Sequence, residues 1–177
     1  MTVITNRYRD DYRIRASDPG DAPKLSALAI RSKAYWGYAD EFMQQCRNEL
    51  TWSADHISAR QFDFQSCFSG EELVGFYALN YIDEQLAELE ALFVEPVHIG
   101  SGIGRRMIEH AKIRATSKRV TKILIQGDPH AEEFYLATGA MRCGSRQSSS
   151  VPGRRLPLFS IRLDQPSPTA VENGNRK

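Results

Sequence analysis

The sequence predicts a single α/β (α+β) domain in which helices flank a mixed, mostly antiparallel central sheet. Its 177 residues suit one globular domain, and 41% hydrophobic with 25% charged residues are ordinary globular values that exclude wholesale disorder. Strand-like and helical patterns alternate along the chain. Two strand patterns are separated only by the hairpin signal Ser-Gly-Glu-Glu at residues 69–72. A hairpin within an alternating series indicates a mixed sheet and not an all-parallel one.

The first half of the chain predicts a strand, two helices and a hairpin. Asp21 is a candidate N-cap for the first helix, with Pro23 in its first turn, and apolar residues recur along one face of that helix. The second hairpin strand is apolar on both faces, as a central strand should be. The predicted bounds are 12–16 for the first strand, 22–34 and 39–50 for the helices, and 62–68 and 73–82 for the hairpin strands.

The second half of the chain predicts four further strands and two helices. The first of these strands ends at Glu95, before a proline, and leads to a long helix with a stripe of apolar residues. Asp128 and Pro129 are a strong helix start, an N-cap followed by proline, and Gly139 ends that short helix. The predicted bounds are 87–94, 122–126, 142–148 and 156–163 for the strands, and 102–117 and 130–138 for the helices.

The composition changes at both ends of the chain. We assign residues 11–164 to the folded domain and expect residues 1–10 to be ordered only in part. Residues 165–177 are polar, contain prolines and have almost no large apolar side chain, so a disordered tail is predicted. The start shows no secretory signal and no apolar run is long enough to span a bilayer, which leads us to expect a cytoplasmic protein.

Charge and cysteine content narrow the class of protein. The net charge is only +1, whereas a protein that binds nucleic acid through its phosphates usually has a basic excess. Cys46, Cys67 and Cys143 form no CxxC pair, which argues against a disulfide framework and a cysteine-built zinc site, and the first two are predicted to be buried. The four histidines show no ligand spacing, so we expect no metal.

The most informative segment is residues 92–106, LFVEPVHIGSGIGRR, in which a strand runs through a glycine-rich loop into the long helix. Backbone N–H groups at a helix start are unpaired, and the helix dipole adds partial positive charge. Glycines also let the backbone approach a ligand closely. This combination predicts a site for a phosphate or pyrophosphate. The residues expected to form it are Gly100, Ser101, Gly102, Gly104, Arg105 and Arg106.

Two common nucleotide-binding motifs do not fit this loop. The pattern GxxxxGK[ST] is absent, because no Lys-Ser or Lys-Thr follows Gly104. The dinucleotide pattern GxGxxG also fails, because its last position is Arg105 when counted from Gly100 and Met107 when counted from Gly102. An enzyme using another phosphate cofactor at this loop is therefore a secondary hypothesis.

The loop resembles the acetyl-CoA signature of the GNAT superfamily of N-acetyltransferases, V-x-P-x-x-[RQ]-G-x-G-x-G. The match covers Val94, Pro96, Gly100, Gly102, Ile103 and Gly104. Ile99 stands where the family usually has Arg or Gln. A second family motif, N-x-x-A-x-x-F-Y-x-x-x-G-F, is matched at Asp128, Ala131, Phe134, Tyr135 and Gly139. The order of elements over residues 11–163 also resembles the family, so we expect a GNAT-like domain.

The resemblance implies that an amine attacks the thioester of acetyl-CoA directly, with no acyl-enzyme. In the family, the backbone of the fourth strand pairs with the pantetheine arm, the N–H at the Leu92 position faces the thioester oxygen, and a tyrosine at the Tyr135 position protonates the departing thiolate. By that resemblance the cofactor-binding residues are Leu92, Phe93, Val94, Ile99, Gly100, Ser101, Gly102, Ile103, Gly104, Arg105, Asp128 and Tyr135.

An amine acceptor needs a base, because an alkylammonium with a pKa of ~10.4 must lose a proton before it attacks. Glu90 and Glu88 lie two and four residues before Leu92, so regular strand alternation would place all three on one side. Family members use a carboxylate at one of these positions, and we prefer Glu90 for its shorter reach. The alternative is that both carboxylates are solvated on the strand face.

The sequence indicates less about the acceptor site than about the donor site. Tyr35, Trp36 and Tyr38 form an aromatic group between the first two helices, where GNAT proteins often wall the acceptor pocket, although these rings can equally be core. Tyr135 likewise has core packing as its alternative role.

The sequence thus predicts an acetyl-CoA-dependent N-acyltransferase that moves an acetyl group directly to a primary amine of a small molecule or peptide. The alternative is a catalytically degenerate CoA-binding module that acts as a sensor or interaction partner. No nucleic acid or membrane is expected as a partner, and a homodimer is compatible with this hypothesis.

Overall fold

The computed structural model describes residues 12–164, which form a seven-stranded mixed sheet with helices on both faces. The predictions for residues 1–10 and 165–177 lie outside the described residues. The strands are β1 (Tyr12–Ala16), β2 (Phe62–Ser69), β3 (Glu72–Tyr81), β4 (Leu86–Val94), β5 (Lys122–Gln126), β6 (Met141–Gln147) and β7 (Arg155–Arg162). The helices are α1 (Ala22–Ala34), α2 (Asp40–Cys46), α3 (Ala54–Ser58), α4 (Ile103–Ser117) and α5 (Glu132–Ala137).

The sheet has the order β1-β2-β3-β4-β5-β7-β6. All neighbouring pairs are antiparallel except β4 and β5, which run parallel because α4 connects them as a crossover. The prediction of a mixed, mostly antiparallel sheet flanked by helices is confirmed.

Two apolar clusters hold the helices against the sheet. Ile103, Met107 and Ile108 of α4 are fully or almost fully buried on one face, as their helical spacing predicts. Leu25 and Leu28 of α1 are fully buried on the other face. Each face of the sheet therefore has its own core, and the connections between helices and strands meet at the ends of the strands.

The parallel pair β4–β5 opens partway along its length. Leu86–Leu89 pairs with 122–125, but β4 continues beyond that contact to Val94. At its far end β5 turns into a 3-10 turn at Pro129–Ala131 and then α5. The two strands therefore diverge and leave one edge of β4 open, next to the start of α4.

A β-bulge interrupts β4 at Glu90. Ala78 pairs with Ala91 and Leu79 pairs with Leu89, so Glu90 is an extra residue without a partner on β3. Side chains at 87 and 89 pack in the α4 core, whereas Ala91 packs in the α1 core. The expectation that Glu88, Glu90 and Leu92 share one side is wrong, because the bulge shifts the alternation by one residue.

The segment between α1 and β2 differs from the prediction in detail. Helix α2 ends at Cys46 and not at residue 50, and α3 was not predicted. In α3 the Ser53 hydroxyl accepts from the His56 N–H, and the His56 ring accepts from the Ser53 N–H in return. Histidine therefore replaces the Glu or Gln of a usual capping box, which is why the signal is weak in the sequence.

All three cysteines lie in the described part of the chain and are free thiols. Cys46 and Cys67 are buried free thiols, as predicted, and Cys143 is an exposed one. Within residues 12–164 no helix is long and apolar enough to cross a membrane. The same residues contain no group of three or more His, Cys, Asp and Glu side chains placed to hold a metal ion.

A half-buried histidine of α4, His110, makes the stability of the fold depend on pH. Its Nδ1 lies 2.7 Å from the Tyr77 hydroxyl. Burial, and secondarily the positive charge of Arg114, lower the pKa of His110, while Asp63 acts in the opposite direction. Because the unfolded chain then binds more protons, stability is full above the usual histidine pKa of ~6.5 and is lost as the pH falls below it.

We therefore expect the melting temperature to fall on acidification from pH 7.5 to 5, and to fall less in His110→Gln. The measurement is thermal unfolding followed by circular dichroism at several pH values. An identical pH dependence of the two proteins would contradict the prediction.

Candidate active site

A cleft of about 610 Å³ occupies the space where β4 and β5 diverge. Ten of the residues predicted to bind the cofactor line it, namely Leu92, Phe93, Val94, Ile99, Gly100, Gly102, Gly104, Arg105, Asp128 and Tyr135. Glu88, Glu90 and Trp36 line it as well. A larger depression of about 890 Å³ around Asp83 and Lys122 contains none of the predicted site residues and borders the end of the described chain, so the cleft is the candidate site.

The glycine loop has the backbone that its composition predicts. Gly100 and Gly102 have φ of 85° and 93°, a region that residues with a Cβ rarely adopt, and a Cβ on either would meet no atom within 4 Å. Gly102 is the N-cap of α4, so the unpaired N–H groups of the first helical turn begin directly after it. The loop thus presents amide hydrogens and the positive end of a helix to an open space.

Gly104, Ser101 and Arg105 of the loop are in contact with other parts of the protein. A Cβ on Gly104 would lie 3.1 Å from the ring of Phe134, so this glycine allows α4 to pack closely on α5. Ile103 is fully buried and, unlike Gly102 and Gly104, is not among the residues that line the cleft. The Ser101 hydroxyl donates to the His98 carbonyl at 2.6 Å, and Arg105 donates to the Ala137 carbonyl at 3.2 Å.

Beyond Leu89, the edge of β4 that faces β5 has no strand partner among residues 12–164. In an antiparallel pair, the N–H groups of alternate residues face the partner strand. The Glu95 N–H donates to the Val74 carbonyl at 2.8 Å, which fixes the phase of this alternation. The N–H groups of Leu92 and Val94 therefore point away from β3, toward the gap that β5 leaves. A linear ligand can pair with this edge as an additional strand would.

Tyr135 lies on α5, with its ring buried and 7% of its surface exposed, and it lines the cleft. A Cβ on Gly127 would come within 2.9 Å of both the Tyr135 and the Phe159 rings, so glycine at 127 makes room for this tyrosine. Burial, with a contribution from the negative charge of Asp128, raises the pKa of Tyr135 far above its usual value. The phenol is therefore protonated at neutral pH, and its O–H can donate a hydrogen bond to a group bound in the cleft.

The two carboxylates of β4 have different surroundings. Glu88 forms an ion pair with Arg146 of β6. Glu90, at the bulge, is partly exposed, yet the walls of the cleft desolvate it and raise its pKa. The charge of Glu88 acts in the same direction, while a hydrogen bond from Asn80 opposes it. A carboxylate with a raised pKa is a better proton acceptor, and Glu90 has no cation paired with it among the ion pairs of residues 12–164.

Asp128 has more partners than an N-cap requires. Its carboxylate accepts the His130 N–H at 3.0 Å and the Tyr38 hydroxyl at 2.8 Å, and it lies 3.4 Å from the Lys33 ammonium. The backbone hydrogen bond, the Tyr38 hydroxyl and the nearby cations together lower its pKa, despite the opposing effect of burial, which is the largest single contribution. Asp128 is thus an anion held by side chains from distant parts of the chain.

The aromatic residues between α1 and α2 do not act as one group. Trp36 lines the cleft and its ring stacks on that of His130, with centroids 5.3 Å apart and planes inclined by 2°. Tyr35 is 53% exposed and touches only the edge of Trp36 among its ring contacts in the described chain. Tyr38 stacks on Phe42, and Arg154 donates to its hydroxyl at 2.9 Å. The structure thus separates the three predicted acceptor residues, and only Trp36 borders the cleft.

Sequence reasoning missed several cleft residues. Lys33, His130 and Gln126 line the cleft, and Arg146 pairs with Glu88, which does. His130 alone had a local signal, its place directly after the Asp-Pro helix start. The others reach the site through contacts between distant segments, which no spacing in the sequence reveals.

The sequence model of the acetyltransferase (GNAT) family matches residues 27–140. The search of curated proteins found no sequence match.

Solved structures of N-acetyltransferases share this fold. The PaiA N-acetyltransferase of Thermoplasma acidophilum, in complex with coenzyme A, is 20% identical and superposes with a TM-score of 0.70 over 86% of this chain and 99% of that one. The ribosomal-protein-S18-alanine N-acetyltransferase of Escherichia coli is 14% identical, with a TM-score of 0.67 over 89% and 97%. An aminoglycoside 6'-N-acetyltransferase complexed with coenzyme A is 18% identical, with a TM-score of 0.65 over 87% and 99%.

Proposed function

The chain belongs to the acetyltransferase (GNAT) family, and we propose that it transfers the acetyl group of acetyl-CoA directly to a primary amine. The observation that carries this proposal is the coincidence, in one cleft, of an open strand edge, a glycine turn at a helix start and a buried tyrosine. Two of the similar structures contain coenzyme A, which is consistent with the same donor here.

The chain's own groups fit such a donor. The first turn of α4 and the left-handed glycines before it offer amide hydrogens to the pyrophosphate, in a space that a Cβ would enter. The open edge of β4 offers the Leu92 and Val94 N–H groups to an extended arm. Bound acetyl-CoA supplies an activated thioester, and the Leu92 N–H is placed to stabilise negative charge on its carbonyl oxygen.

The proton transfers fall to two side chains with raised pKa values. Glu90 at the bulge takes a proton from the acceptor ammonium, directly or through a water molecule. Tyr135 gives a proton to the departing sulfur. Glu88 is a weaker candidate for the base, because Arg146 already neutralises it.

The acceptor is a primary amine on a small molecule or a peptide. We infer that it binds in the part of the cleft lined by Trp36 and Glu90. The E. coli structure is of an enzyme named for a ribosomal protein and another is of an aminoglycoside acetyltransferase, so the fold itself serves acceptors of both kinds. A cytoplasmic location and a homodimer stay predictions.

The experiment has a binding part and a turnover part. Calorimetry with acetyl-CoA, and with ATP and NAD as controls, identifies the donor, and thermal stabilisation by each ligand provides an independent readout. Release of free thiol is then followed with a panel of amines, and mass spectrometry identifies the products. Binding of acetyl-CoA without transfer to any amine would favour the CoA-binding module over the enzyme.

Replacing the base should produce a pH-dependent loss of activity. In Glu90→Gln we expect kcat/KM to fall roughly tenfold or more at pH 7, and by less at pH 9.5, where more of the amine is already unprotonated. Glu88→Gln is the matched comparison on the same strand and should have the smaller effect.

The measurement is the pH–rate profile of each variant with one amine at low concentration. Profiles like that of the wild type from both variants would remove the base role from these carboxylates and assign proton removal to water.

A further inference from the structure

We propose that Asp128 positions the acceptor wall of the cleft and is not primarily a ligand of the donor. The residues concerned, here called the Asp128 cluster, are Asp128, Lys33, Tyr38 and Arg154. This inference rests on the proposed transfer to an amine, because it assigns Asp128 to the acceptor of that reaction.

The Asp128 cluster is compact and largely removed from solvent. The Tyr38 hydroxyl lies 2.8 Å from both oxygens of the carboxylate. Lys33 Nζ and Arg154 Nη2 lie 3.4 and 3.8 Å from Asp128 Oδ2. The three charged side chains are only 12–19% exposed. Pairs this little exposed are screened much less by salt than surface pairs are.

The cluster joins three parts of the chain that are far apart in the sequence, namely residues 33–38, Asp128 and Arg154. Lys33 belongs to the last turn of α1, Tyr38 to the α1–α2 connection and Arg154 to the β6–β7 connection. The last two are joined directly, because Arg154 donates to the Tyr38 hydroxyl across 116 residues of chain. Asp128, at the start of the turn before α5, thus contacts both the end of α1 with its following connection and the β6–β7 connection.

The joined segments are those that wall the acceptor side of the cleft. Trp36 in the α1–α2 connection and Ser149 in the β6–β7 connection both line it. Ser150 also donates to Glu49, which adds a second tie between the β6–β7 connection and the same wall. The position of this wall therefore depends on contacts made by Asp128. Because those contacts occupy its carboxylate, Asp128 is not primarily a ligand of the donor.

The charges of the cluster show why the carboxylate matters. Two cations share one anion, and both also lie over the same two rings: Arg154 is 4.6 Å from the Phe42 centroid and Lys33 is 5.6 Å from that of Tyr38. Without the negative charge, two buried cations would repel each other, and the loop carrying Arg154 would move into solvent. The aromatic rings alone would not hold both cations.

Two substitutions test this role. Tyr38→Phe keeps the stack on Phe42 and deletes the hydroxyl, whereas Asp128→Asn keeps an acceptor for the His130 N–H and removes the charge. In each variant we expect the KM of the acceptor amine to rise about tenfold or more, because this is the expected effect of losing one charge-assisted hydrogen bond. The acetyl-CoA Kd from calorimetry should change by less than about twofold, and kcat with saturating amine should change little.

A second readout does not depend on activity. The Ser148 N–H donates to the Arg154 carbonyl at 2.7 Å, so hydrogen exchange of a peptide covering residues 148–154 reports whether this connection stays in place. Exchange there should be faster in both variants. The control is Arg142→Gln on the outer strand β6. It breaks the exposed ion pair between Arg142 and Glu132 of α5, and it should change neither KM nor exchange.

The outcomes separate the possible roles. Weaker acetyl-CoA binding with an unchanged acceptor KM would overturn the proposal and make Asp128 a donor ligand. Unchanged exchange at 148–154 would overturn it as well. If the wild type acetylates no amine, the proposed function fails, yet faster exchange in both variants with unchanged acetyl-CoA affinity would still support Asp128 as the residue that holds this wall.

Discussion

Gly102→Asp should abolish acetyl-CoA binding while the protein stays folded. Gly102 is the N-cap of α4, and a side chain there would enter the open space before the helix. An aspartate would place its carboxylate where the unpaired amides and the helix dipole attract the pyrophosphate. We expect calorimetry to show a Kd at least ~100-fold weaker, or about 2.7 kcal/mol.

Two controls separate charge from backbone strain. Gly70→Asp introduces the same side chain at another left-handed glycine, with φ of 58°, in the β2–β3 turn and away from the cleft. It should lower stability by the roughly 1–3 kcal/mol of a strained residue and leave the Kd unchanged. Gly102→Ala has the strain without the charge and should weaken binding less. An aspartate variant that binds acetyl-CoA as the wild type does would show that the loop is not the donor site.

Tyr135→Phe should lower kcat by ~10-fold or more, within the usual range for loss of a general acid. The ring fills the space that Gly127 leaves, and phenylalanine fills it equally, so the fold should be unaffected. Because burial raises the pKa of Tyr135, its hydroxyl stays protonated throughout the neutral pH range. Because the deleted contact is made mainly in the transition state, acetyl-CoA affinity should change little.

The measurement for this variant is a single-turnover rate, so that product release does not hide the chemical step. Tyr81→Phe is the matched control, since that hydroxyl donates to Asp63 at 3.3 Å and does not line the cleft. A single-turnover rate equal to that of the wild type would return Tyr135 to a packing role.

The sequence predicted the fold well because its elements have local signals. Periodic apolar residues, the Ser-Gly-Glu-Glu turn and the Asp-Pro start all act within a few residues of chain, and they located every strand and the helices α1, α4 and α5. Helix α3 was missed because His56 replaces the expected capping residue. The end of α2 was placed too late because residues 47–50 turn without continuing the helix.

The donor half of the candidate site was predicted because it, too, has a local signal in the sequence. The glycine loop and β4 are contiguous, so a motif could identify the donor half of the cleft. The bulge at Glu90 depends on how β3 and β4 pair, and the partners of Asp128 depend on contacts across up to 95 residues. Such features follow from the packing of distant segments, and no local pattern encodes them.

The bulge at Glu90 also divides β4 into two halves with different tolerance to mutation. Beyond it, the strand offers mainly backbone groups to the proposed donor, and these survive most side-chain replacements outside the left-handed glycines of the loop. Before it and around it, the acceptor side is built from side chains of several loops. Under random mutagenesis, acceptor preference should therefore drift long before the use of acetyl-CoA is lost, which makes this a scaffold whose specificity can be evolved at a constant donor.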